Sequence, residues 1–183
     1  ADLVAEQSLT PQRAAEVGLE ILSALEAAHA QGIVHRDVKP ANVMVDANGT
    51  MKLADFGIVS VKGDPRLTAS GMILGSPSYM APEQAQEGTA TPATDIWALG
   101  ATLYFAVEGR SPFDRDQAIP TLTAVLSEEP DFSSKSGELR STLEACLRKD
   151  PHERPSEQRL GEMLRAVAQG ELPAATVAAP ARS

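Results

Sequence analysis

Between Ile33 and Asn42 the chain reads IVHRDVKPAN, which brings a carboxylate, an amine and an amide together at Asp37, Lys39 and Asn42. Pro40 stands among them and excludes a regular amphipathic helix, so these polar groups ride on a loop. A second carboxylate, Asp55, opens the triplet Asp55-Phe56-Gly57 after one short hairpin. Two carboxylates and an amide facing one another are hard oxygen donors, a set suited to a cation such as Mg²⁺.

The positions of these groups depend on the hairpin between them. Val43-Met44-Val45 leaves the loop as a strand, and Met51 to Ala54 forms the return. The Asn48-Gly49 step is a strong hairpin signal because both residues tolerate positive φ. Asn42 then lies where one strand begins and Asp55 where its partner ends, at the same open end.

Helices account for most of the remainder. Thr10-Pro11 reads as an N-cap followed by proline at the first helical position. Val17, Ile21, Leu25 and Ala28 then repeat every three or four residues, which predicts a helix over 11–30 with Gly32 just past its end. Thr91-Pro92 opens a second helix whose interior, IWALGA, is apolar nearly all round, as a central buried helix would be. Glu108-Gly109 closes it, and shorter helices are expected over 117–127, 137–147 and 156–168. From Gly57 to Pro82 no period is sustained, and Gly63, Asp64-Pro65, Gly71, Gly75 and Pro77 interrupt it; an irregular stretch of this length is usually functional or mobile.

Composition excludes several classes. A net charge of −9 with no basic cluster longer than a pair argues against nucleic acid as a partner. Cys146 is the only cysteine, so neither an intrachain disulfide nor a thiolate metal cage is available, and a reducing cytoplasmic compartment fits. The longest uncharged apolar run, Ile96 to Val107, falls short of the roughly 20 residues that cross a bilayer.

Taken together, three ordered motifs resemble the protein kinases. His35 to Asn42 is similar to their catalytic loop with valine for leucine, Asp55-Phe56-Gly57 to their metal-binding triplet, and Ala81-Pro82-Glu83 to the end of their activation segment. Lys39, two residues after Asp37, looks like the serine/threonine class, and HRDVKPANVMV with SYMAPEQA looks like its bacterial receptor-type branch. Asp95 to Gly100 resembles the family's central helix, and Arg154 resembles the arginine that pairs with the glutamate of Ala-Pro-Glu. No Gly-rich loop, strand lysine or partner glutamate helix is found in the sequence. The expectation is therefore a mainly α C-terminal lobe over 1–168 with one small β-hairpin, α+β only in an intact domain, followed by an Ala/Pro-rich linker or disordered tail over 169–183.

The resemblance implies the chemistry. Asp37 would orient and deprotonate a substrate hydroxyl, Lys39 would neutralise charge on the transferring phosphoryl group, and Asn42 with Asp55 would hold Mg²⁺ against ATP. Met44 and Ala54 would form the apolar floor under the adenine. Arg36 would pair with phosphorylated Thr68 and Ser70 in the activation segment, and Ser76 would supply a hydroxyl near Asp37 and Lys39. His35, Phe56, Glu83, Asp95 and Arg154 would be structural, the buried charges paired because an unpaired one is costly. His29 and His152 read as solvated or capping residues, Trp97, Tyr79, Tyr104 and Phe105 as core, and Glu128-Glu129 as a solvated face.

Expected partners are protein substrates and, through an apolar lobe face, a second copy of the chain as a homodimer. Membrane contact is expected only through an anchor beyond Ser183. By itself the chain is expected to bind ATP weakly and transfer nothing; the rival reading is a non-catalytic module for protein interaction or self-association. A pseudokinase would show degenerate motifs, whereas Asp37, Lys39, Asn42 and Asp55 are all present.

Overall fold

Helix α1 (Pro11–His29) begins where the cap chemistry places it, with the Thr10 hydroxyl accepting from Arg13 N at 3.2 Å. Its inward face, including Val17, Ile21, Leu22 and Leu25, is buried. The computed structural model describes residues 8–56 and 77–173, and Gly57, Thr68, Ser70 and Ser76 lie outside them. Within those residues the protein is mainly helical, with one two-stranded sheet.

The other helices are α2 (Pro82–Glu87), α3 (Pro92–Glu108), α4 (Ala118–Ser127), α5 (Arg140–Cys146) and α6 (Glu157–Ala168). Helix α3 is the centre: α1 and α5 pack against it, and α6 lies along α1. Nearly every α3 side chain is buried, and Trp97 stacks on Phe113 at 5.5 Å between ring centroids. Among the described residues no helix is long and apolar enough to cross a membrane.

Two expectations about the elements are corrected. The helix expected over 137–147 starts later, at Arg140, because Gly137 adopts φ 44°, ψ −130° and kinks the 3₁₀ segment Ser134–Leu139 that precedes α5. Helix α2 was not anticipated at all; at six residues it is too short to show an apolar period.

The hairpin pairs β1 (Val43–Val45) with β2 (Met51–Leu53) in antiparallel register, Val43 to Leu53, Met44 to Lys52 and Val45 to Met51. Its turn also differs in detail from the sequence reading. Only Gly49, at φ 83°, is left-handed, and Asp46 organises the loop by accepting from Asn48 N (2.8 Å) and Thr50 N (3.0 Å). Those two bonds hold the Asp46 carboxyl below its ordinary pKa. Gly49 N closes the turn on Asp46 O at 3.0 Å, the arrangement of a three-residue hairpin loop. The face carrying Val43, Val45, Met51 and Leu53 packs on the core, and Glu20 of α1 accepts from Met51 N at 2.7 Å. The hairpin is thereby fixed to α1.

Candidate active site

Asp95 sits in the first turn of α3 with no exposure to solvent, and it seats the loop before Asp37. Its Oδ2 accepts from His35 N at 2.7 Å and its Oδ1 from Arg36 N at 2.8 Å. Two backbone donors satisfy a buried carboxylate near a helix N-terminus, where the helix dipole also favours negative charge. Arg36 is driven to φ 71° in this grip, a left-handed conformation that costs a non-glycine residue about 1–3 kcal/mol.

The third partner of Asp95 corrects a sequence reading. His29, expected to be solvated or capping, has a side chain only 5% exposed and is wedged between two carboxylates. Its Nε2 contacts Asp95 Oδ2 at 2.7 Å, and its Nδ1 contacts Glu157 Oε1 of α6. Burial opposes the charged ring, but hydrogen bonds to Glu157 and Asp95 outweigh it and raise the His29 pKa above 6.5. Glu157 is 128 residues away in sequence, so no local pattern reveals the pair.

His35 is fully buried and couples the loop to the end of the hairpin. Its Nε2 donates to Ala54 O at 3.1 Å, its Nδ1 accepts from Asp37 N at 3.3 Å, and its ring leans on Phe56 at 4.4 Å.

Asp37, Lys39 and Asn42 meet directly. Lys39 Nζ lies 2.8 Å from Asp37 Oδ2, and Asn42 Nδ2 donates to Asp37 O at 2.8 Å and to Oδ2 at 3.1 Å. The 3₁₀ turn Pro40–Asn42 supplies the bend that returns Asn42 to Asp37. Asn42 is buried, whereas the Asp37 side chain keeps 29% of its surface exposed, so its carboxylate is open to a reactant. Asn42 O accepts from Ala54 N at 2.9 Å, which sets exposed Asp55, at φ 55°, one residue beyond that contact. Met44 lies on the outer face of the hairpin with 54% exposure, and Ala54 lies on the same face by register.

The second anchor joins the start of α2 to the body. Arg154 forms two 2.8 Å bonds to the Glu83 carboxylate, Nη1 to Oε1 and Nη2 to Oε2. Its remaining donors reach Ala93 O, Arg148 O and Lys149 O, and its guanidinium lies 5.1 Å from the Trp97 ring centroid. Thr94 Oγ1 adds a third donor to Glu83 at 2.9 Å. Ser78 is buried and donates to Asp114 at 3.0 Å. Gln84, which the sequence did not single out, touches the loop itself: its Nε2 donates to Arg36 O at 3.2 Å.

A buried helix thus grips a strained loop by its backbone, and that loop carries an open aspartate flanked by lysine and asparagine, the arrangement expected from the resemblance to protein kinases. The model of the protein kinase domain matches residues 1–165, and the chain belongs to that family. It is 43% identical over 166 residues to the serine/threonine-protein kinase PkaA of Streptomyces coelicolor, an alignment covering 88% of this chain and 31% of PkaA. It is 35% identical over 177 residues to the kinase PknA of Corynebacterium glutamicum, covering 94% of this chain and 38% of PknA. Against the probable kinase PknB of Lactococcus lactis it is 44% identical over 111 residues, 61% of this chain and 18% of PknB. The chain thus spans less than two fifths of the length of each of these curated relatives. As a family, protein kinases use ATP with a divalent metal and act on proteins.

Proposed function

We propose that this chain forms the catalytic-loop part of a bacterial serine/threonine protein kinase, one that moves the γ-phosphoryl group of ATP to a Ser or Thr hydroxyl of a protein. The observation that carries this reading is the grouping at Asp37, where Lys39 Nζ and Asn42 Nδ2 share Oδ2 while the carboxylate stays open. Two donors on one oxygen orient the carboxylate and leave its other oxygen to receive a proton from a substrate hydroxyl. Lys39, with 20% of its side chain exposed, can turn from Asp37 toward an incoming phosphoryl oxygen.

The donor set fits Mg²⁺. Asn42 commits its NH₂ group to Asp37, so its amide oxygen is turned away from that contact, and Asp55 offers an exposed carboxylate on the neighbouring position. One carboxylate and one amide are a sparse set, as expected for a cation whose remaining ligands are phosphate oxygens and water. When bound, the ion neutralises phosphate charge. Met44 and Ala54 supply apolar surface on the outer face of the hairpin, beside exposed Lys52, against which a purine would lie.

Asp37→Asn tests the reading in the gene product that contains this chain. Loss of at least two orders of magnitude in phosphate transfer to a protein substrate, with the thermal unfolding midpoint unchanged, is expected; retained transfer overturns it. For the 183 residues alone, calorimetry with Mg-ATP is expected to show only weak binding. Thr68 and Ser70 as autophosphorylation sites facing Arg36 remain part of the proposal, and mass spectrometry of active enzyme finding neither modified refutes that part.

A further inference from the structure

Gln84 holds the peptide that precedes Asp37. Its two amide atoms are both engaged: Nε2 donates to Arg36 O at 3.2 Å, and Oε1 accepts from Ala81 N at 3.1 Å. The side-chain amide cannot flip without setting donor against donor at Ala81 and acceptor against acceptor at Arg36. The carbonyl it grips belongs to the same peptide plane as Asp37 N, which donates to His35 Nδ1 on the opposite edge. Gln84 and His35 therefore hold that plane from both sides.

The same residue, Arg36, is held on its amino side by Asp95 Oδ1 at 2.8 Å and sits at φ 71°. A left-handed residue persists only where its surroundings over-determine it, and the two clamps come from different helices, α3 and α2. Rotation of the 36–37 peptide swings the Cα–Cβ bond of Asp37 and with it the carboxylate that Lys39 and Asn42 contact. Helix α2 is itself seated by Glu83, the residue before Gln84, through Arg154 and Thr94.

We infer that Gln84 is a positioning residue for Asp37, so that the seating of α2 by Glu83 is transmitted to the catalytic carboxylate through one side-chain amide. The inference rests on the proposed kinase activity for its catalytic consequence, but the contact itself is testable without it. Gln84→Glu keeps the acceptor for Ala81 N and removes the donor to Arg36 O; Gln84→Met removes both at similar size.

In the 183-residue chain, Gln84→Glu is expected to move the Arg36 carbonyl ¹³C and Asp37 amide ¹⁵N resonances while leaving the Ala81 amide in place. In the gene product, Gln84→Glu is expected to lower kcat by about 2- to 10-fold, the worth of one neutral hydrogen bond, with KM for ATP and for protein substrate unchanged. A residue that only caps α2 predicts the reverse pattern: Gln84→Glu behaves as wild type and Gln84→Met alone is impaired. Unmoved Arg36 and Asp37 resonances, or a wild-type kcat in Gln84→Glu, overturn the inference. Wild-type protein that transfers no phosphate overturns the kinase reading instead, and the resonances then decide the Gln84 contact by themselves.

Discussion

Arg154 and Glu83 lie 71 residues apart and meet through two bonds of 2.8 Å, with the arginine side chain fully buried and the glutamate only 11% exposed. Glu83→Ala leaves a guanidinium buried beside Trp97 without its counter-ion, and a loss of about 3–5 kcal/mol in unfolding free energy is expected. Urea denaturation measures it. Burial opposes the Glu83 charge, but the Arg154 bonds prevail and hold its pKa below 4.5. Its contribution is therefore present above that value and disappears as pH falls through the lowered one. A loss under 1 kcal/mol in Glu83→Ala argues against this pair as an anchor.

His29 gives the opposite sign. Both ring nitrogens face carboxylate oxygens, Asp95 on one side and Glu157 on the other, so both act as donors only in the imidazolium form. With its folded pKa raised above 6.5, the bridge contributes fully below that pH and is lost as pH rises through the folded value. Stability of the wild type is expected to decline over that interval by at most about 1.4 kcal/mol per pH unit, and the decline is expected to vanish in His29→Gln. Superimposable pH profiles for the two proteins sink the bridge. Because Asp95 also holds His35 N and Arg36 N, amide exchange at those two positions is expected to quicken alongside.

Elements with a period or a cap were legible in the sequence, and those made by distant partners were not. Helix α1 ends one residue short of its expected boundary, and α3 begins at the Pro92 that Thr91 announces. The grouping of Asp37, Lys39 and Asn42 was legible because these residues lie within six positions of one another. Glu108 shows the limit: it reads as the close of a helix, yet it is buried and accepts from Ser133 and Ser136, 25 and 28 residues on. Gln84 and His29 were missed for the same reason, since a glutamine or histidine on a helix carries no local mark of the loop it reaches. Gly137 was overlooked because one glycine in a helical pattern is often tolerated, and here its backbone is not helical at all.

Gly100 marks a contact too close for any side chain. A Cβ built there falls 2.5 Å from the Cβ of Cys146, where α3 meets α5. Gly100→Ala gains helix propensity but overpacks this crossing, and a net loss of about 1–3 kcal/mol is expected in chemical denaturation. Equal or greater stability in the variant contradicts the close approach.

Asn42 tests the site without any need for activity. Its NH₂ group donates to both the main-chain and side-chain oxygens of Asp37, at 2.8 and 3.1 Å, and the residue is 5% exposed. Asn42→Asp replaces that donor with a carboxylate directed at two acceptors, one of them charged. Two carboxylates this close resist joint ionisation, so the introduced carboxyl binds a proton more readily in the folded state than in the unfolded one. The native state then holds the extra proton, and stability falls as pH climbs through the carboxylate range. At neutral pH a loss of about 1–3 kcal/mol relative to wild type is expected, shrinking in acid as the protonated group becomes a donor again. Asn42→Ala removes the donor without adding charge, and its deficit is expected to stay level over the same range. Parallel pH profiles for the two variants mean that position 42 does not face Asp37, and the grouping on which the proposed chemistry depends falls with that result.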